Sequence, residues 1–204
     1  MTSLEQRQAD TARQATWDNL TNYSRTDEPD HNEGLFMDLP AHKYLEGLGI
    51  PHKRLSFPPD TEKGAAGVAR ALGYAPGQMV KTLIFETGAA ERVLVMVGGD
   101  KNGISSHLKR AIGSRNIKLA GLDTVKEVTG YEIGSIPPFH WQTAGFRSFL
   151  DACLMDEELL GVGAGVWGEE ILLTPQDLVT AVGAIVVNLT DKSKDVISPS
   201  PADP

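Results

Sequence analysis

Hydrophobic and polar residues alternate in short segments through the middle of the chain, whereas both ends are polar. Residues 1–36 are polar and weakly periodic, which is typical of an extension rather than a core. The last residues contain Ser198-Pro199-Ser200-Pro201, and a segment of this composition is expected to be disordered. The pattern predicts an N-terminal extension at residues 1–36, one folded domain at residues 37–190 and a disordered tail at residues 191–204.

Short apolar segments that end at glycine predict a mixture of helices and strands in this domain. Residues 80–86 and 92–97 form two apolar strands joined by a short glycine-containing loop, which indicates a β-hairpin. The other predicted helices and strands follow. Helices are predicted at residues 40–48, 61–72, 104–112, 123–128 and 175–182, capped in three cases by Thr61, Asp123 and Thr174, and strands at residues 52–57, 117–120, 146–150, 171–173 and 184–189. Because helices and strands do not alternate regularly, we expect an α+β domain with a mixed or largely antiparallel sheet.

Lys81 is unusual because the run around it, residues 79–85, otherwise has the composition of a buried strand. Side chains alternate between the faces of a strand, so Lys81 shares a face with Leu83 and Phe85. Burial without a partner penalises the charge of a lysine. Two interpretations follow: the ammonium borders a cavity and meets a polar or anionic group there, or the stem lies along the strand end and the ammonium reaches water.

Residues 130–141 form a segment that is too apolar for an ordinary surface connection. Gly134 permits a positive φ or a close backbone approach, and Pro137 and Pro138 stiffen the chain after it. A rigid loop of this kind can bind a carbonyl or an oxyanion through consecutive backbone amides. These amides belong to Gly134, Ser135 and Ile136. The alternative, which composition favours, is a stiffened turn that packs its aromatic residues into the core.

A second glycine-rich stretch, Gly161-Val162-Gly163-Ala164-Gly165, resembles a phosphate-binding loop only superficially. It lacks the Lys-Ser/Thr pair of a Walker loop and the spacing of a dinucleotide fingerprint, and it precedes a predicted strand. A tight turn is the simpler interpretation, although such a turn can also line a pocket.

Composition limits the classes of function. A chain of 204 residues with 41% hydrophobic residues suits one globular domain with tails, and no apolar run approaches the ~20 residues needed to cross a bilayer. The net charge of −8 argues against general binding to DNA or RNA, but not against a local patch that holds one RNA end.

Cys153 is the only cysteine, which fits a reducing cytoplasm, and the five histidines show no metal-ligand spacing. Several acidic residues are expected on solvated faces, namely Glu157, Glu158, Glu169 and Glu170.

Several short motifs occur in a fixed order along the domain. They are Leu72-Gly73, Val80-Lys81-Thr82-Leu83-Ile84, Gly99-Asp100, Leu108-Lys109-Arg110-Ala111-Ile112-Gly113, Thr129-Gly130-Tyr131, Gly134-Ser135-Ile136-Pro137-Pro138-Phe139, Asp151 and Leu173-Thr174-Pro175-Gln176-Asp177-Leu178. In this order and spacing they resemble the YbaK / prolyl-tRNA-synthetase-associated editing domain family over residues 40–190. The most specific are the V-K-T-L strand and the T-G-Y-x-x-G-x-x-x-P loop.

The resemblance implies an α+β fold with a central mixed, largely antiparallel sheet surrounded by helices. It implies a free-standing, cytoplasmic hydrolase that deacylates mischarged aminoacyl-tRNA. The expected substrate is the 3′ end of tRNA-Pro carrying a small wrong amino acid such as alanine or cysteine. Prolyl-tRNA synthetase is a possible partner, and no membrane, DNA, metal or cofactor is expected.

The resemblance also assigns residues. Lys81 matches the functional lysine of the family, and the predicted catalytic group is Lys81, Gly134, Ser135 and Ile136. The predicted substrate-binding residues are Pro137, Pro138, Phe139, Asp151, Gly163, Ala164 and Gly165. The chain departs from the family at His140, where many members have glycine.

The implied chemistry is simple because an aminoacyl ester is already activated, so that hydrolysis needs mainly a positioned water and a stabilised oxyanion. Lys81 would hold the terminal phosphate or ribose, the loop amides would polarise the carbonyl, and the free hydroxyl of the adenosine would help to activate water.

Two other classes of function stay open. One is a non-catalytic module that binds a nucleotide or a tRNA end, and the other is a small-molecule esterase, which is disfavoured because no nucleophile–base pair is recognisable.

Overall fold

The structure is a computed structural model that describes residues 38–193 of the chain. The predicted extension at residues 1–36 and the end of the predicted tail lie outside the described residues, so the domain boundaries stay predictions. In the described part, no helix is both long enough and apolar enough to cross a membrane.

The described residues form five α-helices, and most of them end where the sequence predicts. They are α1 (Pro40–Gly47), α2 (Ala65–Leu72), α3 (Ser105–Ile112), α4 (Leu122–Thr129) and α5 (Pro175–Val182). The last four each end at a glycine with a left-handed φ, a conformation that costs a residue without a Cβ little. These glycines are Gly73, Gly113, Gly130 and Gly183.

The predicted helix caps are confirmed in one case out of three. Thr174 caps α5, because its hydroxyl oxygen accepts a hydrogen bond from the Asp177 amide at 3.2 Å. α2 begins only after Gly64, so Thr61 lies outside the helix. Asp123 lies in the first turn of α4 rather than at its cap, where a carboxylate still interacts favourably with the helix dipole.

Eight strands in the described residues form two sheets. They are β1 (Lys53–Ser56), β2 (Val80–Thr87), β3 (Arg92–Gly98), β4 (Ile117–Leu119), β5 (Ser148–Asp151), β6 (Leu160–Gly163), β7 (Glu169–Leu173) and β8 (Ile185–Val187). The larger sheet has the order β4-β2-β3-β5-β8, with antiparallel pairing of β4, β2 and β3 and parallel pairing of β3, β5 and β8. The smaller sheet, β1-β7-β6, is antiparallel. The predicted α+β class with mixed, largely antiparallel pairing is confirmed.

The two hairpin strands are predicted correctly, whereas the glycine-rich stretch is not. β2 and β3 pair in register from Val80 opposite Gly98 to Glu86 opposite Arg92. Most of the stretch at residues 161–165 is strand β6 rather than a tight turn, because it pairs with β7 along its length. The chain turns only after β6.

One cluster of buried apolar side chains joins the two sheets. It contains Ile84 and Leu94 from the larger sheet and Val162 and Ile171 from the smaller one. An isolated parallel bridge between Met79 and Gly161 also brings the start of β2 next to β6. The edge of β2 and one face of the smaller sheet therefore meet at the same place.

Candidate active site

A cavity of about 250 Å³ lies at this junction, between α2, the first half of β2 and the loop before Pro137. β4 pairs with β2 only from Phe85 to Thr87, so β4 leaves the earlier edge of β2 uncovered. Most lining side chains are apolar, and two, Lys81 and Glu170, are ionisable. The cavity thus offers two ionisable side chains within mainly apolar walls.

Lys81 lies on β2 and lines this cavity. Its Nζ donates a hydrogen bond to the carbonyl of Lys101, just after β3. Burial lowers the pKa of the Lys81 ammonium, and the nearby Asp100 carboxylate opposes this shift. The first interpretation of Lys81 therefore fits the structure, since the ammonium meets polar groups beside a cavity.

Gly134 and Ile136 bring backbone amides to the cavity wall. Gly134 has a φ of +103°, a conformation that favours glycine, and a Cβ placed on it would lie 3.6 Å from the Trp167 ring. Within the described residues, no hydrogen bond engages the N–H of either Gly134 or Ile136. The Ser135 amide is not free, because it donates to the Glu132 carbonyl at 3.3 Å. The predicted group of three free amides is therefore reduced to two.

Gly163 sets the position of this loop. A Cβ on Gly163 would lie 2.6 Å from the carbonyl carbon of Ser135 and 3.1 Å from the amide nitrogen of Ile136. Distances of this size are far below van der Waals contact, so only glycine lets β6 approach the loop backbone so closely. The Gly165 amide also donates to the Ser135 carbonyl at 2.8 Å. The glycine-rich stretch thus supports the loop.

Glu170 is the cavity residue that the sequence prediction missed. It was expected on a solvated face, but it is only 7% exposed and lines the cavity from β7. β7 is the central strand of its sheet, so Glu170 lies between Leu55 of β1 and Gly163 of β6. Burial raises the pKa of Glu170 to about 8. The carboxyl group is therefore mostly protonated at neutral pH in the free protein.

The model of the aminoacyl-tRNA editing domain matches residues 60–181, more than half of the chain. The chain belongs to the aminoacyl-tRNA editing domain family. The resemblance to YbaK and to the editing domains associated with prolyl-tRNA synthetase is thereby confirmed.

Individual relatives agree with this assignment. The chain is 24% identical over 153 residues to EbsC of Enterococcus faecalis, designated a candidate Cys-tRNA(Pro)/Cys-tRNA(Cys) deacylase, covering 74% of this chain and 93% of EbsC. A 77-residue part is 35% identical to the proline–tRNA ligase of Desulforamulus reducens, covering 38% of this chain and 13% of the ligase. A crystal structure of a candidate trans-editing enzyme for prolyl-tRNA synthetase superposes with a TM-score of 0.66 at 26% identity, covering 78% of this chain and 99% of that one.

Several residues predicted to bind substrate in this editing domain do not line the cavity. Phe139 is fully buried in the core. The carbonyl groups of Pro137 and Pro138 accept hydrogen bonds from the side chains of Trp141 and Gln142, each at 2.6 Å. The aromatic part of this segment therefore packs into the core, as the alternative interpretation of the loop requires.

Asp151 and Ala164 also have structural surroundings. Asp151 is completely buried at the end of β5, where its carboxylate accepts hydrogen bonds from the Leu189 amide at 2.8 Å and from the Thr190 hydroxyl. Ala164 is fully buried in the core beside the loop. Neither residue is among those that line the cavity.

His140, where the chain departs from the family, has an unusual backbone conformation and a side-chain contact of its own. It has a φ of +71°, and glycine adopts this left-handed conformation more readily than any other residue. Its Nε2 lies 2.9 Å from the Tyr131 hydroxyl, and burial lowers the pKa of its imidazole. The Tyr131 contact is an interaction that a glycine at this position could not make.

The described residues contain no group of three or more His, Cys, Asp or Glu side chains that could hold a metal ion. The polar groups that face the cavity are instead an ammonium, a carboxyl, a hydroxyl and backbone amides.

Proposed function

We propose that this chain is a trans-editing hydrolase that deacylates mischarged aminoacyl-tRNA, with tRNA-Pro carrying alanine or cysteine as its substrate. The observation that carries the proposal is the cavity of an editing-domain fold in which Lys81 and the unengaged amides of Gly134 and Ile136 occur together. We further propose that the domain spans residues 37–190 and that it works in the cytoplasm beside prolyl-tRNA synthetase.

Lys81 is proposed to hold the terminal phosphate or ribose of the tRNA. An ammonium has three N–H donors, and the Lys101 carbonyl engages one of them. Two donors are left for an anionic or polar substrate group. Because the cavity walls are mainly apolar, such charge-assisted hydrogen bonds would be stronger there than in water.

The amides of Gly134 and Ile136 are proposed to stabilise the oxyanion that forms when water attacks the ester carbonyl. Removing one donor of this kind from an enzyme typically costs about 2.7–4 kcal/mol of transition-state stabilisation. The free hydroxyl of the terminal adenosine would help to activate the water. Glu170 is a poor general base in the free protein, because burial keeps its carboxyl mostly protonated at neutral pH.

The size and lining of the cavity favour a small aminoacyl group. Its volume is about 250 Å³, and Ala65, Val68 and Ile136 contribute apolar walls. The same space must take the ester and part of the ribose, so a bulky side chain fits it poorly, whereas alanine and cysteine are small enough.

The test is a deacylation panel with alanyl-, cysteinyl-, seryl-, threonyl- and prolyl-tRNA. We expect hydrolysis well above the spontaneous rate for alanyl- or cysteinyl-tRNA-Pro, and none for prolyl-tRNA-Pro. Binding of the tRNA end without hydrolysis of any ester would instead identify a non-catalytic module. If the chain neither binds the tRNA end nor hydrolyses any of the esters, both functions are refuted.

A further inference from the structure

Glu170 is a buried carboxyl group that the proposed hydrolysis does not use. It is only 7% exposed and lines the cavity from β7. Within the described residues, no hydrogen bond or ion pair engages its carboxyl group. A Cβ on Gly161 would lie 3.5 Å from its Oε1, so the carboxyl lies over a strand position that has no side chain. An acidic group in such a place costs stability unless a partner arrives.

A second polar atom nearby also lacks a partner. Thr82 lines the same cavity from β2, and its Oγ1 is buried without a hydrogen bond in the described part of the chain. Both groups can accept hydrogen bonds. Within the described residues neither group is engaged, so both are open to a hydrogen-bond donor on a ligand.

We propose that Glu170 is the subsite that binds the α-ammonium group of the aminoacyl ester. This inference rests on the proposed deacylase function. Every aminoacyl ester with a free amine carries this cation next to the carbonyl that is attacked. A carboxylate that pairs with it would fix the ester near the Gly134 and Ile136 amides, and the apolar walls would strengthen the ion pair.

Binding must then release a proton. In the free protein the carboxyl is mostly protonated at neutral pH, because burial raises its pKa to about 8. When the ammonium binds, Glu170 gives its proton to water and becomes the carboxylate of the ion pair. Among the described residues that line the cavity, Lys81 is the only other ionisable side chain. Neighbouring Leu55 and Gly163 carry no charge, and Glu169 points to the opposite face of β7.

The first experiment measures binding without hydrolysis. The probes are 3′-alanylamino-3′-deoxyadenosine, whose amide resists hydrolysis, and the matching lactyl amide, in which a hydroxyl replaces the amine. The wild type should bind the alanyl compound at least about tenfold more tightly. Between pH 6 and 7 its affinity should rise several-fold and approach tenfold, because one proton is released. The lactyl compound should show no such rise.

Two variants show which carboxyl group causes the preference for the alanyl compound and its pH dependence. Glu170→Gln should bind both compounds with similar affinity and without pH dependence, whereas Glu169→Gln, one residue earlier on β7, should behave like the wild type. The proposal is overturned if Glu170→Gln keeps the preference, or if it weakens both compounds equally. The wild-type pH dependence needs no variant, so a flat profile overturns the proposal even if Glu170→Gln fails to fold.

The second experiment separates this inference from the function on which it rests. With lactyl-tRNA, Glu170→Gln should retain the wild-type rate, while with alanyl-tRNA it should lose at least about tenfold in kcat/KM. An equal loss with both substrates would indicate a structural role and overturn the inference. If the wild type hydrolyses neither substrate but binds the alanyl compound through Glu170, the deacylase function fails and the ammonium site stands.

Discussion

Lys81 and Glu170 are the two ionisable side chains of the cavity, and burial shifts the pKa of each towards its neutral form. Lys81 keeps a carboxylate, Asp100, within electrostatic reach. Glu170 has no such compensation, since burial is the sole cause of its shift. The two groups therefore differ in what they require of a ligand: Lys81 has donors to spare, and Glu170 lacks a cation.

The buried carboxyl makes stability depend on pH, with a predictable sign. The pKa of Glu170 is about 8 in the folded protein and near the usual glutamate value of 4.5 in the unfolded chain. The contribution of Glu170 to the stability of the folded protein is fully present below pH 4.5 and is lost as the pH rises towards 8. The reason is that the unfolded chain releases the proton first. Urea unfolding should show that the free energy of unfolding of Glu170→Gln increases relative to that of the wild type by up to about 1.4 kcal/mol per pH unit in this window.

The control for this measurement is Glu158→Gln, because Glu158 is exposed. Its stability should change with pH in parallel with the wild type. Lys81 shares the cavity but is not a cause of the Glu170 shift. Parallel pH profiles of the wild type and Glu170→Gln would show that the Glu170 carboxyl is not buried in the folded protein.

The sequence makes Lys81 recognisable as a candidate site residue, but not Glu170. Lys81 can be recognised because its apolar neighbours make a cation conspicuous. Glu170 follows Glu169, and the acidic pair indicates a solvated face. Alternation along a strand shows that Glu169 and Glu170 point to opposite faces, but it does not show that both faces are covered. Only the position of β7 between β1 and β6, with α2 over one face, buries Glu170.

Strand β6 shows how an element can be mistaken for a turn. Gly161 and Gly163 have little β propensity, so the stretch was predicted to be a tight turn. In the fold, the absence of a side chain at Gly163 is what brings β6 against the loop at Ser135. By contrast, the helix ends at Gly73 and Gly183 were predictable, because a left-handed C-terminal residue is a local requirement.

Gly163→Ala should therefore damage the site more than the fold. Its Cβ would lie 2.6 Å from the Ser135 carbonyl carbon, so the loop must move and the Gly134 and Ile136 amides move with it. We expect deacylation to fall at least about tenfold, since small displacements at a reacting centre are costly. Overpacking should reduce stability by about 1–3 kcal/mol. Turnover and urea midpoints measure the two effects.

Gly47→Ala is the matched control, because a Cβ there would meet nothing within 4 Å. It should leave turnover unchanged and keep or slightly raise the urea midpoint, because alanine favours a helical position more than glycine does. Full activity in Gly163→Ala would mean that the position of the loop amides does not matter for hydrolysis.

At the scale of the whole molecule, the α+β class could be predicted because helices and strands follow one another without regular alternation. The division into two sheets could not, because strand partners are chosen by contacts distant in sequence. β1 pairs with β7, for example, and Arg54 lies opposite Ile171. The smaller sheet has to form before the cavity wall at Glu170 exists.

A chain of residues 38–193 should retain both stability and activity. The buried clusters found in the described part use side chains from Leu39 to Leu189, and residues 1–36 are polar and weakly periodic. Such segments bury little apolar surface. Differential scanning calorimetry should place the melting temperature within a few degrees of that of the full chain. A larger loss, or lost turnover, would show that a terminal segment contributes to the domain.

The most direct test of the proposed active site is the rate at which Lys81→Ala deacylates alanyl- and cysteinyl-tRNA-Pro, with circular dichroism recorded on the same sample. One charge-assisted hydrogen bond is worth roughly 1.5–3 kcal/mol, and about 1.4 kcal/mol changes a rate tenfold. We therefore predict a fall of at least about tenfold in a folded protein, while Lys118→Ala, on exposed β4, keeps the wild-type rate. Wild-type turnover by folded Lys81→Ala would contradict the assignment of hydrolysis to this cavity.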